Sequence, residues 1–178
     1  MYKRLMIPMD GSSLAECVLP HAESFFKNGL VEKVTFITVL EPLSRSLLDS
    51  TYGFKLLSPA NEPPITGQET IYSLNVEEAA KMETHRKNAA LQYLNGVANR
   101  FSQYGVKMIS EVLEGHVAES LATYAEDNKI DLILVATHGR SGLGRWVMGS
   151  VADRILRASH VPVFMVHATP GCEPASEK

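Results

Sequence analysis

Residues 131–151 read DLILVATHGRSGLGRWVMGSV, and the succession of residue types in that stretch decides the fold class. Leu132-Ile133-Leu134-Val135-Ala136 is apolar without alternation, too short to span a membrane and bounded by turn signals, which is the pattern of a buried strand. Glycines follow at once, with Gly139, Gly142 and Gly144 spaced by Arg140 and Arg145, and a helical pattern opens at Gly149-Ser150. Strand, glycine loop and helix start in succession present backbone N–H groups and the positive end of a helix dipole to one place, which is how proteins hold phosphate.

The same alternation extends in both directions. Leu5-Met6-Ile7-Pro8-Met9 is a short apolar strand ending at the turn Asp10-Gly11-Ser12-Ser13. Leu14, Val18, Ala22 and Phe25 then recur at helical spacing, with Pro20 inside the pattern predicting a bend or a helix that begins near it. Gly29 is the expected stop. Residues 34–40, VTFITVL, are β-branched and nearly free of polar alternation, as in a central parallel strand. Ser, Pro and Gly punctuate residues 41–75, which are expected to form a long loop; the segment fits a lid, a partner contact or disorder equally well. A helix is predicted from about Val76 to Tyr104, with Ala90, Leu94, Val97 and Phe101 on its apolar face. A half-exposed strand over 106–112, a helix marked by Val117, Leu121 and Tyr124, a helix carrying Val151, Ile155 and Leu156, and a last strand Val161-Pro162-Val163-Phe164-Met165-Val166 complete the chain. Strands alternating with helices define an α/β domain with a mostly parallel sheet of about five strands, expected over residues 1–168, followed by a frayed tail at 169–178.

Bulk properties narrow the function classes. The chain has 178 residues, 45% hydrophobic and 21% charged, with a net charge of −3, so one globular domain is expected and neither nucleic acid nor a membrane surface is implied as partner. No stretch reaches membrane-spanning length and the N-terminus lacks the apolar core of a signal peptide, which makes the cytoplasm the expected location. Cys17 and Cys172 lie far apart with no CxxC pattern, most simply as free thiols.

Parallel α/β sheets bind ligands beyond the carboxyl ends of their strands, where strand order reverses. If the strand ending at Pro8 and the one ending at Ala136 are neighbours, that point lies between Asp10 and the glycine loop. The loop is neither a P-loop, since no Lys-Ser/Thr follows its glycines, nor a GxGxxG dinucleotide fingerprint. What remains is a cradle of N–H groups from Gly139 onward and again at Gly149, with the Ser150 hydroxyl added at a helix start. Asp10 has two readings, a helix cap or a carboxylate facing the ligand. His138 has no orienting carboxylate and no nucleophile elbow beside it, so it is a turn histidine within reach of phosphate, and no catalytic residue is assigned. Arg140 is a solvated charge that screens phosphate. His116 and Glu119, one helical turn apart, read as a solvated face, and no metal site built from protein residues is expected.

These residues resemble the universal stress protein family over essentially the whole chain. The family pattern is Gly-x2-Gly-x9-Gly-Ser/Thr at the end of the fourth strand; here it reads Ala136-Thr137-His138-Gly139, nine residues, then Gly149-Ser150, with the first glycine replaced. Pro8-Met9-Asp10-Gly11-Ser12 and Val161-Pro162-Val163 are similar to the family's first and last strands. The resemblance implies an open parallel sheet in the order 3-2-1-4-5 and a homodimer through the last strand, Val163-Phe164-Met165-Val166. In the ATP-binding branch it implies adenine near Pro8, Asp10 and Val39, with ribose and phosphates at Gly139, Gly149, Ser150 and Val151. ATP, or AMP or ADP, is the expected ligand, with Mg or Mn on the phosphates. Ala136 is the departure. A left-handed backbone there would cost an alanine about 1–2 kcal/mol, against roughly 8 kcal/mol for a micromolar ligand, and a β-carbon aimed into the nucleotide would cost more.

Two functions of different kinds follow. One is a nucleotide-binding stress-response regulator, not an enzyme beyond slow ATP hydrolysis. The other is an interaction module without nucleotide, meeting an unidentified protein partner through its dimer surface and residues 41–75.

Overall fold

The computed structural model describes residues 2–42, 66–138 and 150–168, and at 66–77, 138, 150–151 and 168 the backbone alone. The chain divides into two compact units, Met1–Glu41 with Ala90–Lys178, and Pro42–Ala89. All five strands belong to the first: β1 (Arg4–Pro8), β2 (Lys33–Leu40), β3 (Lys107–Glu114), β4 (Leu132–His138) and β5 (Val163–Ala168). They form one parallel sheet in the order β3-β2-β1-β4-β5, as the resemblance implies.

The sheet is a layer between two apolar clusters because alternate side chains of each strand leave on opposite faces. Leu5, Ile7, Val34, Phe36, Leu132 and Leu134 pack on one side with Val18, Ala22, Phe26, Leu94, Val97 and Phe101. Met6, Ile37 and Ile133 pack on the other with Leu121, Ala125 and Ile155. Helices therefore cover both faces, and interior strands read as unbroken apolar runs because neither face meets water.

The first helical pattern is split as Pro20 predicts. Helix α1 (Ser13–Glu16) is one turn long, and α2 (Leu19–Lys27) carries the proline in its first turn, where a missing N–H costs nothing. Gly29, at φ +61°, ends α2, a conformation that glycine adopts without steric cost. Helix α3 (Thr66–Asn99) starts about ten residues before the periodicity places it, and Gly67 falls in its first turn rather than in a loop. It stops at Asn99, and a 3-10 turn (Ser102–Tyr104) carries the chain to Gly105. Helices α4 (Val117–Asp127) and α5 (Ser150–Ala158) flank β4 in sequence. Ile155 is buried as expected, but Leu156 is 43% exposed, since the buried stripe of α5 runs through Ala152 and Ile155. Cys17 is disulfide-bonded, contrary to the free-thiol expectation; sequence distance hides such a bond because pairing depends on the fold. The tail at 169–178 and the stretch 43–65 lie outside the described residues. Among the described residues no helix is long and apolar enough to cross a membrane.

Candidate functional site

Strands β1 and β4 are neighbours, so strand order does reverse between them. Their ladder is short, Leu5 opposite Leu132 and Met6 opposite Ile133. Pro8 has no N–H to extend it, and the backbone past β1 turns to the β2 side, where Met9 N–H donates to Ile37 O at 2.8 Å. A crevice opens at the carboxyl ends of the strands. It forms a cavity of about 400 Å³ bordered by Pro8, Met9, Asp10, Ser12, Leu14, Ala15, Ile37, Val39, Val117, Leu121, Val135, Ala136, Thr137 and Ala152.

The turn after β1 builds one wall. Gly11 sits at φ +81°, which lets the chain fold back so that Asp10 Oδ1 accepts from Ser12 N–H at 2.9 Å and from Ser12 Oγ–H at 2.6 Å. Ser12 in turn caps α1, its Oγ accepting from Ala15 N–H at 3.1 Å. Of the two readings of Asp10, the cap thus belongs to Ser12; Asp10 orients the cap and remains an exposed carboxylate on the cavity.

The opposite wall is β2. Lys33 N–H donates to Lys3 O and Ile37 O accepts from Met9 N–H, so odd-numbered residues of β2 turn their backbone groups toward β1, while Leu40 O accepts from Gly115 N–H on the β3 side. By that alternation Val39 directs its N–H and C=O past the last β1–β2 rung, Pro8 opposite Ile37, toward the cavity side. Thr38 Oγ–H donates to Met9 O at 2.5 Å and fixes the two strand ends together.

The third side is β4. Ala136 pairs with Val166 and sits in ordinary strand backbone; among the described residues the non-glycine with positive φ is Lys129. The alanine therefore carries no left-handed strain, and its methyl packs partly against the core below α1. Thr137 is buried beside it. β4 ends at His138 and α5 begins at Ser150, on either side of the glycine-rich stretch of sequence. Gly139, Arg140 and Gly149 lie outside the described residues, and only the backbone is described at His138, Ser150 and Val151.

Four expected residues, Pro8, Asp10, Val39 and Ala136, thus come together on one cavity from three strands. Sequence reasoning missed the apolar lining. Ile37 had a signal, since it lies two residues from the expected Val39 on the same strand face, whereas Val135 and Thr137 alternate with Ala136 and had none. Val117 and Leu121, one turn apart, had the helical equivalent, but nothing in the sequence says that α4 reaches this cavity. Among the described residues no group of three His, Cys, Asp or Glu converges to hold a metal.

The arrangement defines a class: a parallel α/β protein with a largely apolar cavity at its switch point and a carboxylate on one wall, next to the strand after which the glycine-rich sequence runs. The family model described as the universal stress protein family matches residues 56–167. Universal stress protein MJ0531 of Methanocaldococcus jannaschii is 30% identical over 93% of this chain and 82% of its own length. The chain belongs to the universal stress protein family. The solved structure of MJ0577 superposes with a TM-score of 0.68 at 22% identity, over 95% of this chain and 98% of the other. A universal stress protein family member of Arabidopsis thaliana, solved with AMP bound, superposes with a TM-score of 0.56 at 12% identity over 97% of both chains.

Proposed function

We propose that this protein binds an adenine nucleotide, ATP in its full form, in the cavity between β1 and β4, and acts as a stress-response regulator rather than as an enzyme. The observation that carries this reading is the convergence of Pro8, Asp10, Val39 and Ala136 on one cavity of about 400 Å³, a volume in the range of small-molecule sites. The base enters between the apolar side chains of Ile37, Val39 and Leu121. The Val39 N–H and C=O, one donor beside one acceptor, match the acceptor and amino donor on the adenine edge, whereas guanine in the same pose presents its donor and acceptor in the reverse order. Asp10 accepts from ribose hydroxyls, and the phosphates extend to Gly139, Gly149 and the first turn of α5 at Ser150 and Val151. The AMP-bound relative supports a nucleotide in this fold.

A divalent ion fits this donor set only as a passenger of the phosphates. Mg²⁺ keeps several waters and takes one or two carboxylates with phosphate oxygens, and Asp10 is the cavity's exposed carboxylate. Dimerisation through β5 belongs to the same proposal: β5 is the edge strand of the sheet, and Phe164 on it is 43% exposed. Titration calorimetry with ATP and magnesium tests the binding. Saturable heat at one nucleotide per chain is the expected result; no heat at millimolar nucleotide overturns it.

A further inference from the structure

Helix α1 is a single turn, and an isolated turn of helix has no stability of its own. Leu14 and Ala15 nonetheless form part of the cavity wall, so something outside the turn must hold it. The next residue, Glu16, is gripped by two donors, one on α3 and one just past its end. Tyr93 Oη–H donates to Glu16 Oε1 at 3.1 Å, and Arg100 Nη1 donates to Glu16 Oε2 at 3.0 Å, while the Glu16 side chain is only 15% exposed. Two donors on the two oxygens of one shielded carboxylate fix its position as well as its charge. Burial, and after it the negative charge of Glu16, holds the Tyr93 hydroxyl well above the ordinary tyrosine range, so it remains a donor throughout the accessible pH range. Asp10 acts on the same phenol in the same direction, which places the cavity carboxylate within electrostatic reach of it.

We propose that Tyr93 is a positioning residue for the nucleotide: with Arg100 it holds Glu16, and through Glu16 the α1 wall of the cavity, in the geometry that binds. The assignment rests on the cavity's being the nucleotide site. A second tyrosine–carboxylate tie provides the control. Tyr104 donates to Glu23 on α2, with Lys27 paired to the same carboxylate, and neither Glu23 nor Tyr104 lines the cavity.

The experiment measures melting temperature and ATP affinity, by calorimetry with magnesium, for the full chain and the variants Tyr93→Phe, Tyr104→Phe and Arg100→Gln. Loss of one such hydrogen bond predicts about five-fold weaker ATP binding for Tyr93→Phe. Arg100→Gln, at a half-exposed position that folding tolerates, should weaken binding about two- to three-fold. Tyr104→Phe should lower the melting temperature and leave affinity unchanged. Tyr93→Phe and Arg100→Gln binding ATP as tightly as Tyr104→Phe overturns the positioning role while leaving the nucleotide site intact. Absence of ATP binding by the unsubstituted chain overturns the nucleotide site itself and this role with it.

Discussion

Asp10 has one observed role, in the turn, and one proposed role, toward the ribose, and substitution can separate them. Its Oδ1 accepts from both the N–H and the hydroxyl of Ser12, and an asparagine keeps such an acceptor while removing the charge. Asp10→Asn should therefore leave thermal stability nearly unchanged and weaken ATP binding about ten-fold, the effect of losing hydrogen bonds to a charged acceptor. Asp10→Ala should lose both, destabilising the α1 cap by ~1 kcal/mol; calorimetry and thermal melts read the two separately. Ala136 makes the opposite case. The missing family glycine raised the prospect of backbone strain, but the residue is an ordinary strand alanine paired with Val166, and the cavity of about 400 Å³ is open with the alanine in place. Ala136→Gly is expected to cost ~0.5–1 kcal/mol of stability, as glycine does in a strand, and to change ATP affinity less than about three-fold. A gain of a hundred-fold would show that the methyl obstructs the nucleotide.

Among the elements, α2 and β5 carry separate predictions. The Glu23 carboxyl is held below its ordinary value, first by the Tyr104 hydroxyl and then by Lys27. A carboxylate with a lowered folded pKa contributes stability that is present above its unfolded value, about 4.3, and is lost as pH falls through the folded value. The melting-temperature gap between the unsubstituted chain and Tyr104→Phe should therefore be constant near neutrality and narrow below about pH 4.3; a gap that widens in acid contradicts the pairing. In β5 the ladder places Pro162 O on Ile133 N–H, so Val163, Met165 and His167 turn their backbone groups to the open edge. Met165→Pro removes an outward N–H and none of the β4 rungs, and should shift a dimer to monomer in sedimentation while the fold persists. Elements were legible where a strong local signal coincides with tertiary structure. Pro20 marked the start of α2, and the unbroken run at 34–40 marked an interior strand. The start of α3 was not legible, because Gly67 looks like a breaker and is tolerated in a first turn. Leu156 misled for a related reason: apolar character says nothing of which side of a short helix the core will take.

At the scale of the molecule, the site was legible as a place before it was legible as a surface. The strand ending at Pro8, the turn at Asp10 and the strand ending at Ala136 could be put on one side of the sheet because parallel topology forces all carboxyl ends to one edge. The walls from α1 and α4 could not, since their approach depends on packing that no local pattern encodes, and Glu16, Tyr93 and Arg100 meet only in three dimensions. The proposed role of the protein requires a nucleotide at that edge. Native mass spectrometry of freshly purified protein, with identification of whatever is released on denaturation, tests it most directly. The expected result is a released adenine nucleotide, or an empty chain that gains the mass of one ATP per protomer when ATP and magnesium are added. A chain that is empty and stays so at millimolar ATP contradicts it.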